Sequence, residues 1–297
     1  MKTLYLNNKE LVFSAQFSSI ETQLSLVQYY QCELLGNGDI SKGYSEGFFA
    51  SSIRTKSFSE AWERWWLNHF SLLPFEISIT PASSNGFAAH KTIEMAKKNS
   101  RLELLERRDI ILSWQKSGIW KRLNQNSMIS FIQSFVEFST KNKNWKIEFY
   151  QIISDGSHIT VIGLLIHISG GILFDSAAID TEINFKTLLK VALSLLRSIP
   201  FVDFDKADQK TIMPKIALPR DHLAFYFNSE NSRAFDIHRK NSGSGISLIL
   251  DANEITSFEL LNVDGFPALA YSCHKEWEDI SWGSGSHQIN GWPHPIA

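Results

Sequence analysis

Apolar and aromatic positions recur at intervals of three and four over residues 57–70, where Phe58, Ala61, Trp62, Trp65 and Trp66 fall on one side; the spacing predicts an amphipathic helix. A longer run of the same period, from about 92 to 115, places Met95, Ala96, Leu102, Leu105, Ile110 and Trp114 on its apolar side. A third predicted helix covers 185–199 and stops at Pro200, whose missing N–H ends the ladder. Short or alternating runs rich in β-branched and aromatic residues predict strands near 4–6, 24–33, 75–79, 146–152, 159–167 and 171–176. The stretch 84–90, Ser-Asn-Gly-Phe-Ala-Ala-His, reads as a small, flexible turn leading into the second helix.

Beyond Pro200 the periodicity weakens. Residues 203–220, with Pro214 and Pro219, read as a connector, followed by strands at 223–227, 245–250 and 268–271 and a short helix at 254–261. The tail, 282–297, is rich in glycine, proline and serine and carries no predicted element. Strands and helices mixed without a βαβ rhythm predict an α+β (mixed α/β) fold in one domain, 1–297, with a motif-bearing core at 56–199 and a C-terminal part at 201–297.

Composition narrows the partners. With 297 residues, 43% of them hydrophobic, the chain can bury a sizeable core. Lysine plus arginine number 29 against 31 acidic residues, so no global field attracts nucleic acid or an anionic membrane, and any phosphate binding must be local. Cys32 and Cys273 lack the paired spacing of a zinc or redox site, the first residues do not form a signal peptide, and the longest apolar stretch, 159–174, is shorter than a bilayer span; a cytoplasmic location is expected. No nucleophile elbow, Walker loop or Rossmann glycine fingerprint occurs, and the nine histidines include no pair at zinc-ligand spacing. His167, in an apolar strand, reads as a core residue, and the tryptophans at helical spacing read as packing.

One pattern repeats. Ser59-Glu60-Ala61-Trp62-Glu63-Arg64 and Leu102-Glu103-Leu104-Leu105-Glu106-Arg107 each place two glutamates three apart and an arginine next to the second. On a helix such residues share a face with Cβ atoms roughly 5–6 Å apart, so each copy concentrates two carboxylates. A single copy alone reads as a solvated helix face. Two copies facing each other would suit a hard divalent cation, magnesium preferring a few carboxylates plus phosphate oxygens, and the arginines could reach a phosphate with their planar forks. Met95, Asn99, Glu103 and Glu106 share one helix face, and the small-residue turn before them can present backbone N–H groups to phosphate.

With these motifs, KSFSEAWERWW at 56–66, SNGFAAHKTIEMAKKNSRLELLERRD at 84–109 and AAIDTEINFKTLLKVALSLLR at 177–197, the sequence resembles the YcaO-domain proteins. Its end, GWPHPIA, is similar to the proline-containing tails of the family's azoline-forming cyclodehydratases, the enzymes of thiazole/oxazole-modified peptides and bacteriocins. The resemblance implies ATP and Mg2+ as cofactors, with Glu60, Glu63, Glu103 and Glu106 as metal ligands and Ser84, Lys91, Asn99, Arg64 and Arg107 at the nucleotide. It implies catalytic roles for His294, Pro295 and Ala297 of the tail. The implied activity is phosphorylation of a backbone amide oxygen in a ribosomal precursor peptide, after attack by a Cys, Ser or Thr side chain, with phosphate then leaving. A leader-peptide-binding partner protein and a flavin-dependent dehydrogenase in the same complex are the implied partners. Thioamide-forming and amidine-forming relatives exist, but the tail favours azolines. Lys56, His90, Lys91, Met95, Leu195 and Ser198 depart from the family pattern; Lys56, Met95 and Leu195, with the short spacer between Arg64 and Arg107, motivate the alternative of a degenerate, non-catalytic subunit that binds or scaffolds a peptide-modifying complex.

Overall fold

A four-stranded antiparallel meander opens the chain in the computed structural model, which describes residues 2–7, 9–21, 24, 26–73, 86–115, 120–152, 158–180, 182–202, 225–240, 255–274, 288–289 and 292–293. Its strands are β1 (Lys2–Leu6), β2 (Lys9–Ile20), β3 (Gln28–Gly36) and β4 (Asp39–Gly47), hydrogen-bonded in that order. The β3–β4 hairpin turns on Asn37 and Gly38, both at positive φ, the backbone that lets a two-residue turn follow the twist of its strands. Helix α1 (Ala50–Asn68) lies across β3 and β4. It starts seven residues before the predicted position because its first turns are exposed and only Ile53 marks their buried side.

Contacts divide the chain into two compact units. The first holds this meander, α1, strand β5 (Phe87–His90), the first half of helix α2 (Ile93–Gln115), and strands β10 (Ile255–Leu261) and β11 (Ala268–His274). Its core is aromatic. Trp62, Trp65 and Trp66 are fully buried, and Phe13 meets Trp62 and Trp65 edge-on with centroids 4.9 and 4.8 Å apart. The indole N–H of Trp65 donates to the Gly36 carbonyl (3.2 Å) and that of Trp62 to the Pro267 carbonyl (3.2 Å), so apolar burial leaves these polar handles satisfied.

Strand β11 pairs with both β10 and β5, which corrects two expectations. Residues 255–261 form a strand rather than a helix: Ile255 and Thr256 are β-branched, and the run pairs antiparallel with β11. Residues 87–90 are not a flexible turn but an edge strand, because Phe87, Ala88 and Ala89 are all buried and pair with Ala268–Tyr271.

The second unit contains the rest of α2 and a sheet ordered β6 (Lys121–Arg122), β7 (Trp145–Ile152), β8 (Ile159–His167) and β9 (Ile172–Ile179). Helix α3 (Ser127–Thr140) packs on β7 and α4 (Phe185–Ser198) on β8 and β9. Asn126 and Asn184 cap them by accepting from Ile129 N–H (3.0 Å) and Thr187 N–H (3.1 Å). The expected strand at 223–227 is helical over 225–227; Phe225, Tyr226 and Phe227 are all buried, a consecutive burial that does not mark a strand with one exposed face. A 3-10 turn (Asn231–Phe235) and helix α5 (Asp236–Lys240) follow, and strands β12 (Gln288–Ile289) and β13 (Trp292–Pro293) pair within the tail. The expected strands at 75–79 and 245–250 and the connector at 203–220 lie outside the described residues. No helix among the described residues is long and apolar enough to cross a membrane.

Glu148 on β7, only 3% exposed, holds this unit's densest charge cluster: Lys146 at 2.7 Å, Arg122 at 2.9 Å, Arg239 at 3.1 Å and the Tyr150 hydroxyl at 2.6 Å. Burial alone would raise its pKa, but the hydrogen bonds from Lys146 and Tyr150 and the charges of Arg239 and Arg122 outweigh it and hold the carboxyl down to about 2, below its ordinary 4.5. A lowered carboxyl contributes stability above its unfolded value and loses it as pH falls through the folded one. Melting curves should therefore show Glu148→Gln destabilised by about 3 kcal/mol at pH 7, with the difference from wild type shrinking between pH 4.5 and 2.

Candidate functional site

Both glutamate repeats are helical, as their spacing requires, and each carboxylate has a defined environment. In the first unit Glu60 is half-buried on α1; one oxygen pairs with Arg64 at 2.7 Å, one helical turn on, and the other accepts the Tyr44 N–H of β4. Arg64 also donates to the Lys42 carbonyl (3.0 Å) and lies 5.9 Å from the Tyr44 ring centroid. Glu63 points the other way and accepts the Ala89 N–H of β5. Burial pushes its carboxyl well above the ordinary 4.5, and the Glu103 carboxylate pushes it further, against the opposing pull of the Ala89 hydrogen bond. The second residue of the first copy and the first of the second copy are thus electrostatic neighbours.

Helix α2 begins just after β5, with the Thr92 hydroxyl accepting the Met95 N–H at 3.4 Å. His90, at the end of β5, has a buried Nδ1 with no hydrogen-bond partner among the described residues; burial, and then the adjacent Lys91, lower its pKa. Lys91 is exposed, Asn99 is half-buried, and Met95 is 40% exposed rather than on the apolar side.

In the second unit, Glu106 accepts from the Ser176 hydroxyl (2.7 Å) and the Ala178 N–H (3.2 Å), which tie its carboxylate to β9. Beside it stands Asp175, whose carboxyl rises to about 6, from burial first and the Glu106 charge second, with Arg197, Ser194 and Arg107 pulling it down. Arg107 has a buried Nε–H with no hydrogen-bond partner among the described residues. A guanidinium that keeps a buried donor unspent suits an anionic ligand. The sequence marks neither Asp175 nor Arg197 as a site residue, although Arg197 closes the third motif. They become visible only when β9 and α4 meet α2, although an acid inside the run 172–179, apolar but for it and Ser176, was a signal in itself.

Among the described residues no three His, Cys, Asp or Glu side chains come together as a ready-made metal cage. Magnesium does not demand one, since it keeps waters and takes one or two carboxylates alongside substrate phosphates. Glu63 with Glu103 fits that role: they are two neighbouring, half-buried carboxylates whose mutual repulsion an added cation would relieve. Glu60 fits it less well, both its oxygens being engaged by Arg64 and Tyr44. Arg107, through its unspent donor, fits a phosphate. Ser84, His294, Pro295 and Ala297 lie outside the described residues.

No family model matches the sequence, and no curated protein matches it. Solved structures do match in fold. A YcaO from Methanopyrus kandleri bound with AMPPCP and Mg2+ aligns with a TM-score of 0.59 at 10% identity, over 92% of this chain and 89% of that one. A chain of the E. coli microcin synthetase McbBCD complex with pro-MccB17 bound aligns at 0.55 and 12% identity, over 92% and 91%. A heterocyclase in complex with substrate and cofactor aligns at 0.56 and 10% identity, over 86% of this chain and 49% of that one. The chain therefore has the mixed α/β fold of the YcaO proteins.

Proposed function

We propose that this chain, sharing its fold with the YcaO proteins, is an ATP- and magnesium-dependent enzyme that activates backbone amides of a ribosomally made precursor peptide and closes azoline rings on it. The observation that carries the reading is the apposition of the two repeats: Glu63, raised by burial and by Glu103, is a carboxylate whose environment favours an added positive charge. Within the first unit Glu63 and Glu103 would hold magnesium; within the second, Glu106 would offer a carboxylate and Arg107 would meet a phosphate. Bound metal and nucleotide supply the electrophilic phosphoryl group. The chain's own residues orient them: Ala89 N–H fixes Glu63, and Ser176 and Ala178 N–H fix Glu106.

A synthetase complex with pro-MccB17 bound among the structures of this fold supports partner proteins in general; a leader-binding protein and a flavin-dependent dehydrogenase that oxidises the azolines would be those partners. All three would work in the cytoplasm. Protein supplied with ATP, magnesium, the precursor encoded beside it and its neighbouring gene products should remove one water per ring, and two further hydrogens from each ring the dehydrogenase oxidises, read as a mass loss. Calorimetry should show magnesium-dependent ATP binding that is abolished by Glu103→Ala combined with Glu106→Ala.

A second reading, a non-catalytic subunit, is favoured by one observation: the Glu60–Arg64 pair consumes a carboxylate and an arginine that the family pattern assigns to the ligand. Calorimetric silence at millimolar ATP with magnesium would select it.

A further inference from the structure

Helix α1 covers β3 and β4 and leaves the far part of β2 open. Strand β1 pairs with β2 only over Lys9–Phe13, so among the described residues Ser14–Ile20 have a hydrogen-bonded neighbour on the β3 side alone. Val12 directs its N–H and C=O toward the β3–β4 turn, to the Asn37 side chain and backbone N–H. The β2–β3 register continues without a bulge from Phe13 to Ile20, so by alternation Ala15, Phe17 and Ser19 turn their N–H and C=O groups to the open edge. Such an edge is a template for another strand.

The face beside that edge is shaped as well. Phe17 is 41% exposed, and a cavity of about 350 Å3 lies between β2 and α1, walled by Phe13, Ala15 and Phe17 on the strand and Phe58 on the helix. Two cations stand on its rim. Arg54 sits 5.1 Å from the Tyr30 ring centroid; Lys2 donates to the Gly265 carbonyl and lies 5.4 Å from the Phe266 ring centroid. Among the described residues neither is paired with a carboxylate.

We infer that the β2 edge and this cavity form a docking groove for an extended peptide that adds a strand opposite Ala15–Ile20, places an apolar side chain against Phe17 and Phe58, and carries carboxylates two residues to either side for Lys2 and Arg54. Strand addition supplies the backbone pairing, the period of two brings the three side chains onto the cavity face, and the rim charges select acidic over basic sequences. The groove uses none of the residues assigned to magnesium or ATP, so it stands whether or not the amide-activation reading does.

The test is fluorescence anisotropy, without nucleotide, using a labelled Ser-Asp-Thr-Leu-Thr-Glu-Ser peptide. Saturable binding is expected, weakened at least tenfold when lysines replace its two acids or when the protein carries Arg54→Glu, and lost with Phe17→Asp. Both protein positions are solvent-exposed, and circular dichroism checks that the variants fold. N-methylation of the Leu amide and of its neighbouring Thr amide, in separate peptides, should differ sharply, since only one set of amides faces β2. Equal binding of the lysine peptide, equal tolerance of both methylations, or no binding would overturn the inference. So would a dimer in sedimentation velocity that Phe17→Asp dissolves, which would give the edge to a second copy of the chain.

Discussion

Replacing Glu63 with glutamine is expected to make the protein more stable at neutral pH and, in the same step, unable to hold magnesium-ATP. Glutamine keeps the shape and the oxygen that accepts the Ala89 N–H, but it removes a charge that burial and Glu103 both disfavour. The sign follows from linkage. A carboxyl whose folded pKa is raised binds more protons folded than unfolded, so stability is greatest below the unfolded value near 4.5 and declines as pH rises toward the raised one. The variant should show a flatter pH dependence and a gain of about 0.5–2 kcal/mol at pH 7, the usual size when a strained functional group is relieved, or ~2–4 °C per kcal/mol in melting temperature. Loss of even an outer-shell partner weakens metal binding 10–100-fold, so calorimetric affinity for magnesium-ATP should fall at least about 100-fold. A variant less stable than wild type would mean that the carboxylate serves the fold through Ala89, and the magnesium assignment would fall with it.

The same pair shows where sequence reading stopped. That Glu60 and Glu63, or Glu103 and Glu106, lie on helices is local information, fixed by the three-and-four spacing of Trp62, Trp65 and Trp66 and of Ile110, Ile111 and Trp114. That Glu63 is an electrostatic neighbour of Glu103 depends on α1 packing on β5, where Glu63 accepts the Ala89 N–H, and β5 itself pairs with β11 some 180 positions away; no periodicity carries either. Asp175 and Arg197 near Glu106 and Arg107 are non-local in the same way. Other misses were local. The Asn37-Gly38 turn flanked by alternating residues was a hairpin signal for β3 and β4. Helix α3 buries Ile129, Ile132 and Val136 at helical spacing, but Phe131 and Phe138, each 60% exposed, blur the stripe. The expected helix at 254–261 failed because a charged residue in a short apolar run fits either period, and pairing with β11 decided it.

Gly43 is where the first glutamate repeat depends on a residue with no side chain, and Gly43→Ala is expected to cost about 2–4 kcal/mol. A Cβ there would lie 2.1 Å from the Ser57 carbonyl oxygen, 2.3 Å from the Ala61 nitrogen and 3.0 Å from the Glu60 carbonyl carbon. These are backbone atoms of α1, so no rotamer change relieves the clash; the helix must lift from β4 or the strand must bend. The close approach is what lets the Ser41 hydroxyl reach the Ala61 carbonyl (2.5 Å) and the Tyr44 N–H reach Glu60. Lifting the helix would also pull the Trp65 indole from the Gly36 carbonyl and open the Phe13–Trp62–Trp65 packing, so loss of stability and displacement of the repeat should appear together. Denaturant melts measure the first and calorimetry with magnesium-ATP the second, with Ile40→Ala, an exposed position on the same strand, expected to stay within about 0.5 kcal/mol of wild type. If Gly43→Ala keeps wild-type stability, α1 can ride higher on β4 than this packing allows, and the Tyr44–Glu60 hydrogen bond no longer explains how the first repeat is held.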